Sequence, residues 1–278
     1  MTMIPAAQSI TLPHGRLTYR QAGRPGAPAL VLLHGIGSTS PRWEHQFAGL
    51  SNDFHVIAWN APGYRDSDPL PGAAPRVEDY AHALAGLLDA LGVREAWLVS
   101  NSWGTLIALS FAREYPQRVL GLVLGGPTAG YGHLPAGEQK TLADKRAARI
   151  ASAGPVRMIE EDSPNLVSPQ AGAELLARLR QGGDELTVEG YAQAARMLYA
   201  TEGLVLVAQL EQPILILSGE QDRITPPPAN AHRLLAAARH GEIEMLPGVG
   251  HLPHLEVPER FNAAVRGFIK KNTRPETT

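Results

Sequence analysis

Short runs rich in Val, Ile and Leu recur along the chain at Ala29–Leu33, His55–Trp59, Ala96–Ser100, Val119–Leu124, Pro213–Ser218 and Glu242–Leu246. Most are apolar on consecutive residues, the pattern of a strand covered on both faces. Amphipathic stretches lie between them. Val77–Leu91 sets Tyr80, Leu84, Leu87, Leu88 and Leu91 on one stripe and ends at Gly92, a natural helix stop. Leu106–Tyr115 is closed by Pro116, and a last helix runs from Pro258 to Lys270. Alternation of buried strands with helices predicts an α/β fold with a mostly parallel central sheet flanked by helices. The alternating segments Gln8–Leu12 and Arg16–Arg20, separated by Pro13-His14-Gly15, predict an antiparallel hairpin at one edge.

The alternation stops between Thr128 and Gln209. Helical patterns at Glu138–Ser152, Gln170–Gln181 and Thr187–Glu202 dominate, and no convincing strand intervenes. A connection of that length is far longer than ordinary crossovers, so the expectation is a helical lid inserted between two sheet strands. The predicted organisation is a core of residues 1–127 and 210–278 with a helical cap at 128–209. A chain of 278 residues can bury one such core without splitting.

Composition narrows the function. The net charge is −2, with Lys and Arg scattered, so a nucleic-acid partner is not expected. With no cysteine, disulfides, thiolate nucleophiles and Cys-based metal sites are excluded. No apolar run approaches the ~20 residues of a membrane span, and MTMIPAAQSITLPHG does not read as a signal peptide. The expectation is a cytoplasmic protein with a small-molecule substrate and no membrane partner; a homo-oligomer stays open.

The sharpest motif is AWLVSNSWGTLIALSFA, in which a strand runs through Ser100-Asn101-Ser102-Trp103-Gly104 directly into a helix. A serine in such a strand-to-helix elbow has its hydroxyl lifted clear of the sheet, and the positions two before and two after it must be small. Ser100 and Gly104 meet that requirement, and the competing role for Ser102 is a helix cap. A serine hydroxyl needs a general base, itself oriented by a carboxylate. PILILSGEQDRITPP supplies Asp222 just past a late strand, and EIEMLPGVGHLPHLEVPERF supplies His251 just past the next. Serine, acid and histidine thus follow three strands in the order this kind of sheet requires.

These blocks identify the chain as resembling the α/β-hydrolase superfamily over nearly its whole length. LVLLHGIG matches the family's strand followed by His-Gly, NAPGYRDSDPL its Pro-Gly-aromatic-x-x-Ser-Asp loop, and GEQDRITPP and GHLPHLEVPERF its acid and histidine blocks. Within the superfamily the chain is most similar to 3-oxoadipate enol-lactonases and meta-cleavage product hydrolases. Asn101, directly before the nucleophile, resembles the latter. Two features depart from the carbon–carbon hydrolases: Ile36-Gly37-Ser38-Thr39 stands where they carry Gly-Pro-Gly, and Leu252 where they place Trp after the histidine. The resemblance implies an oxyanion hole at the backbone N–H groups of Ile36 and Trp103. It favours Asp222 over the rival acid Glu220, as does the lack of a carboxylate at Gly125-Gly126, where some members place theirs. It also marks Arg65 as unusual, because the matching loop more often has glycine there.

The expected chemistry is cleavage of a small carboxylic ester or enol-lactone through an acyl-enzyme, by Ser102, His251 and Asp222, without a cofactor or metal. Carbon–carbon hydrolysis is the alternative, and a ligand receptor, acyltransferase or lyase on the same fold is a further one. Among the ten histidines, His34 reads as a structural hydrogen-bonder and His254 as packing. Arg65 and Arg196 read either as solvated residues or as anchors for a substrate carboxylate. The side chain of Trp103 is expected to line the pocket, pack against the lid, or both.

Overall fold

The computed structural model describes residues 4–13 and 15–273; His14 of the expected hairpin turn and the first three residues of the N-terminal stretch lie outside them. Eight strands form one sheet in the order β1-β2-β4-β3-β5-β6-β7-β8. They are β1 (Gln8–Leu12), β2 (Gly15–Ala22), β3 (Ala29–Leu33), β4 (His55–Asn60), β5 (Ala96–Asn101), β6 (Val119–Gly125), β7 (Ile214–Gly219) and β8 (Gly241–Leu246). β1 and β2 form the expected antiparallel edge, β2 joins β4 antiparallel, and every later pairing is parallel. The strand runs read from the sequence therefore fall on strands, most of them extended by a residue.

Burial explains why these runs lack alternation. In β3, Val31 and Leu33 face one core cluster while Leu30 and Leu32 face the other. In β5, Ala96 and Leu98 divide from Trp97 and Val99 in the same way. Side chains still point to opposite faces with period two, but both faces are covered, so consecutive positions are apolar. One face is covered by α2 (Val77–Ala90) and α3 (Gly104–Glu114), the other by α1 (Glu44–Leu50) and the C-terminal helix described below.

Between β6 and β7 the chain builds α4 (Ala136–Ala153), α5 (Pro155–Leu166), α6 (Ala173–Arg180), α7 (Val188–Ala200) and α8 (Gly203–Val207). After β7 come α9 (Ala231–Ala237), α10 (Pro253–Glu256) and α11 (Pro258–Asn272). α4 and α7 pack together, and α8 packs on α3 and α9. Helix α5 has no counterpart in the sequence reading: it opens on Pro155 and carries Pro164 inside, both of which read as breaks. Leu166 and Val167 at its end pack with Leu179, Leu252 and Leu255, tying the inserted helices to the loop after β8.

Candidate active site

Ser102 sits between the central strand β5 and α3 with φ of 52°, a left-handed backbone that is costly for a residue with a Cβ. The turn is held by its surroundings. Ser102 N–H donates to Gly125 O at 3.1 Å. A Cβ at Gly104 would stand 2.4 Å from Leu33 O and 2.8 Å from His34 O, so only glycine lets α3 start this close to β3. The small-residue requirement read from the motif is thereby met physically.

Asp222 and His251 meet on the loops after β7 and β8. His251 Nδ1 lies 2.9 Å from Asp222 Oδ2, and both side chains are almost wholly buried. The second carboxylate oxygen accepts the Ile224 and Thr225 N–H groups, each at 2.9 Å. Burial alone would raise the Asp222 pKa. The adjoining His251 and the hydrogen bonds from His251 and Thr225 outweigh it and hold the carboxyl below its ordinary value. With the proton assigned to Nδ1 by this partner, Nε2 of a neutral His251 is left as a base. Ser102 and His251 line the same cavity, with no hydrogen bond between them among the described residues. In ligand-free sites this contact is often long and tightens when substrate binds.

Thr225 belongs to no motif of its own in the sequence. Its hydroxyl donates to Asp222 Oδ2 at 2.8 Å and lies 3.1 Å from His251 Nδ1. The three-residue spacing from Asp222 is the available signal, because an Asp commonly caps the N–H groups two and three residues on. Asn101 links the elbow to the histidine loop, its Nδ2 donating to Gly125 O at 3.0 Å and to His251 O at 3.2 Å. A Cβ at Gly126 would lie 2.5 Å from His251 O, so no acidic side chain fits there.

Ile36 and Trp103 both line the cavity, and no hydrogen bond from either backbone N–H to a protein acceptor is formed among the described residues. Trp103 is buried by Tyr64 and Tyr80, and its Nε1 donates to Ala194 O on α7 at 3.1 Å, so it both lines the pocket and meets the inserted helices. The cavity measures about 260 Å³, room for a small molecule.

The remaining candidates fall elsewhere. Glu220 is exposed. His34 Nδ1 donates to Gly35 O while Nε2 accepts from Ala61 N–H, and burial pushes its pKa down to about 4. His254 stacks on Trp43 with ring centroids 4.4 Å apart. Arg65 is partly exposed and absent from the cavity lining; it pairs with Glu185 of the inserted stretch. Arg196 donates to Ala73 O at 2.8 Å, outside the cavity lining. No group of three or more His, Cys, Asp or Glu among the described residues is arranged to hold a metal. No helix among them is long and apolar enough to cross a membrane.

A strained serine at a strand–helix elbow, followed by an Asp–His pair on later strand exits, is the arrangement of a hydrolase on this sheet. Residues 28–258 match the family model described as the alpha/beta hydrolase fold, and the chain belongs to that family. It is 25% identical to 3-oxoadipate enol-lactonase 2 of Acinetobacter baylyi, over 92% of this chain and 93% of that one. It is 28% identical to the 2-hydroxy-6-oxononadienedioate/2-hydroxy-6-oxononatrienedioate hydrolase of Burkholderia vietnamiensis, over 92% and 91%. A solved thermophilic esterase from Thermogutta terrifontis, with malate bound, superposes with a TM-score of 0.85 at 28% identity, covering 97% of this chain and 100% of that one.

Proposed function

We propose that this hydrolase cleaves a small carboxylic ester or enol-lactone through an acyl-enzyme. Ser102 Oγ attacks the carbonyl carbon as His251 Nε2 takes its proton. The N–H groups of Ile36 and Trp103 receive the developing oxyanion, each such donor being worth about 3 kcal/mol in the transition state. His251 then gives its proton to the departing alkoxide or enolate oxygen, and water resolves the ester by the same route reversed. Asp222 keeps the Nδ1 proton in place throughout. Residues 128–209 act as a cap, contributing Tyr131, Met158, Ile159, Tyr191 and Leu198 to the cavity wall.

The observation that carries this reading is the 2.9 Å Asp222–His251 contact, buried beside the same cavity as the strained Ser102. Relatives at similar identity carry names from lactone and from carbon–carbon hydrolysis. The choice between them rests on the two departures, Ile36-Gly37-Ser38-Thr39 and Leu252; Asn101, which resembles the carbon–carbon hydrolases, gives its amide N–H groups to two backbone carbonyls. An oxygen leaving group needs only the proton that His251 carries.

The test offers the purified protein a short-chain aryl ester, an enol-lactone and a 2-hydroxy-6-oxo-dienoate in parallel and compares kcat/KM. Oxygen esters should lead, and a fluorophosphonate should label Ser102 alone. Faster consumption of the dienoate by orders of magnitude would replace this reading with carbon–carbon hydrolysis.

A further inference from the structure

Arg146 on α4 lines the catalytic cavity, and its charge is unpaired among the described residues. Its Nε donates to the Tyr191 hydroxyl at 2.9 Å, and its guanidinium carbon lies 5.8 Å from the centre of that ring. Tyr199 is its other polar neighbour, and Tyr131 stacks on Tyr199 with centroids 4.9 Å apart. Among the described residues no carboxylate reaches Arg146. The acids nearby are engaged elsewhere: Asp144 by Lys140 at 2.6 Å, and Asp162 by Arg149 through contacts of 2.8 and 2.7 Å.

The contrast with Arg149 is informative. One helical turn away on α4, a structural arginine at the cavity rim is given a bidentate carboxylate. Arg146, deeper among the tyrosine rings, is given only neutral phenols. A guanidinium stays charged under all ordinary conditions, and sheltering it without an anion is unfavourable unless a ligand supplies one. Its planar fork matches a carboxylate through two parallel N–H···O bonds.

We propose that Arg146 receives a carboxylate of the substrate, so that the preferred substrates are esters or lactones bearing a free carboxylate on the acyl part. The inference rests on the hydrolase reading above and adds the class of substrate. The anion is held against the wall of α4 and α7 while the scissile carbonyl lies at Ser102, and the tyrosine rings pack the carbon chain between them. Arg146 is then a specificity residue with no part in bond cleavage.

The experiment compares mono-4-nitrophenyl esters of adipate, pimelate and suberate with neutral 4-nitrophenyl alkanoates of matching length. In the wild type kcat/KM should favour the anionic series, with an optimum at one chain length. In Arg146→Met the anionic-to-neutral ratio should fall about 100-fold, and in Arg146→Lys by less, because the charge remains but the fork is lost. A merely structural arginine would lower both series together and leave the ratio unchanged, which would overturn the proposal. Adipate binding to Ser102→Ala by calorimetry separates the two readings, since it needs no turnover. If adipate binds and Arg146→Met removes that binding while no ester is cleaved by the wild type, the carboxylate site stands and the ester reading fails. If esters are cleaved without preference for the anion and adipate does not bind, the hydrolase reading stands and the carboxylate site fails.

Discussion

Ser102 and Arg65 are the non-glycine residues with left-handed backbone among those described, at φ of 52° and 50°. The strain is similar, but its support differs. At Ser102 it is imposed by main chain: the ladder of β5, the bond to Gly125 O and the tight passage of Gly104 under β3. At Arg65 it is met by one partner from the inserted stretch. Arg65 N–H donates to Glu185 O at 2.8 Å, its guanidinium pairs with the Glu185 carboxylate, and Thr39 shares that carboxylate. At residue 102 no side-chain pair supports the turn, whereas at residue 65 a side-chain pair is added to the main-chain bond and is lost with the side chain. Substitutions at the two sites should therefore act differently, the first on chemistry and the second, by a small amount, on stability.

The largest effect belongs to the elbow. Ser102→Ala should lose about four to six orders of magnitude in kcat on an aryl ester, since residues that act as one catalytic unit carry most of the rate. Its melting temperature should stay within a few degrees of wild type. A large fall in stability would mean that the side chain and not the main chain holds the turn. Asp222→Asn comes next, with a loss of about 10⁴ in kcat because His251 would lose the partner that sets its tautomer. Glu220→Gln, exposed and outside the cavity lining, should stay near wild type. The opposite ranking would move the acid.

Acid stability compares two further buried sites, His34 after β3 and His254 in α10. Burial holds His34, beside the elbow, at a pKa of about 4. Burial, with Arg42 nearby adding positive charge, holds His254 at about 3. Both values lie below the ~6.5 of an unfolded histidine, so the unfolded chain binds more protons in acid. Their contribution is complete above pH 6.5 and drains away as pH falls, stopping only near pH 4 for His34 and pH 3 for His254. Between pH 7 and 5 each should remove about 2 kcal/mol from the unfolding free energy. Because His254 Nδ1 has no hydrogen-bond partner among the described residues, His254→Phe should fold and show about half the wild-type loss from these two groups. Denaturant titrations at the two pH values measure it, and an unchanged slope would mean that His254 is protonated in the fold.

Legibility divides along the same line. Main-chain features were readable: the sheet strands and the elbow follow from apolar runs and small residues, and Asp222 and His251 follow from their places at strand ends. Contacts made by side chains between distant segments were not. The spacing of Thr225 from Asp222 signals a cap on that carboxylate, but neither it nor Asn101 announces a reach to His251, across 26 and 150 residues of sequence. Arg146 lies in a charged helix whose neighbours are ordinary surface pairs, and only packing turns it into the cavity. Helices α1 and α9 span seven residues each, too short for a helical period to stand out against their loops. Arg65 is the intermediate case. The resemblance marked it as standing where glycine is usual, and its positive φ supplies the physical reason. Its partner Glu185 lies 120 residues away, so the pairing was invisible.

That pairing yields the smallest expected effect. Arg65→Gly relieves the left-handed strain, worth roughly 1–2 kcal/mol. It also removes an ion pair between side chains only 25% and 20% exposed, worth about 1 kcal/mol at most after screening. The added freedom of glycine in the unfolded chain costs about another 0.4–1 kcal/mol. These contributions nearly cancel, so Arg65→Gly should lie within about 1 kcal/mol of wild type. Arg65→Ala loses the same ion pair but keeps the strain, and should be about 1 kcal/mol less stable than the glycine variant. Urea titrations of the two variants side by side give that difference directly. Alanine matching glycine would show that residue 65 bears no left-handed strain in solution, and the likeness between the two sites would end there. If alanine falls below glycine while aryl-ester turnover stays at wild-type level in both, the strain at residue 65 serves only to seat the inserted helices, as that at residue 102 serves the hydroxyl.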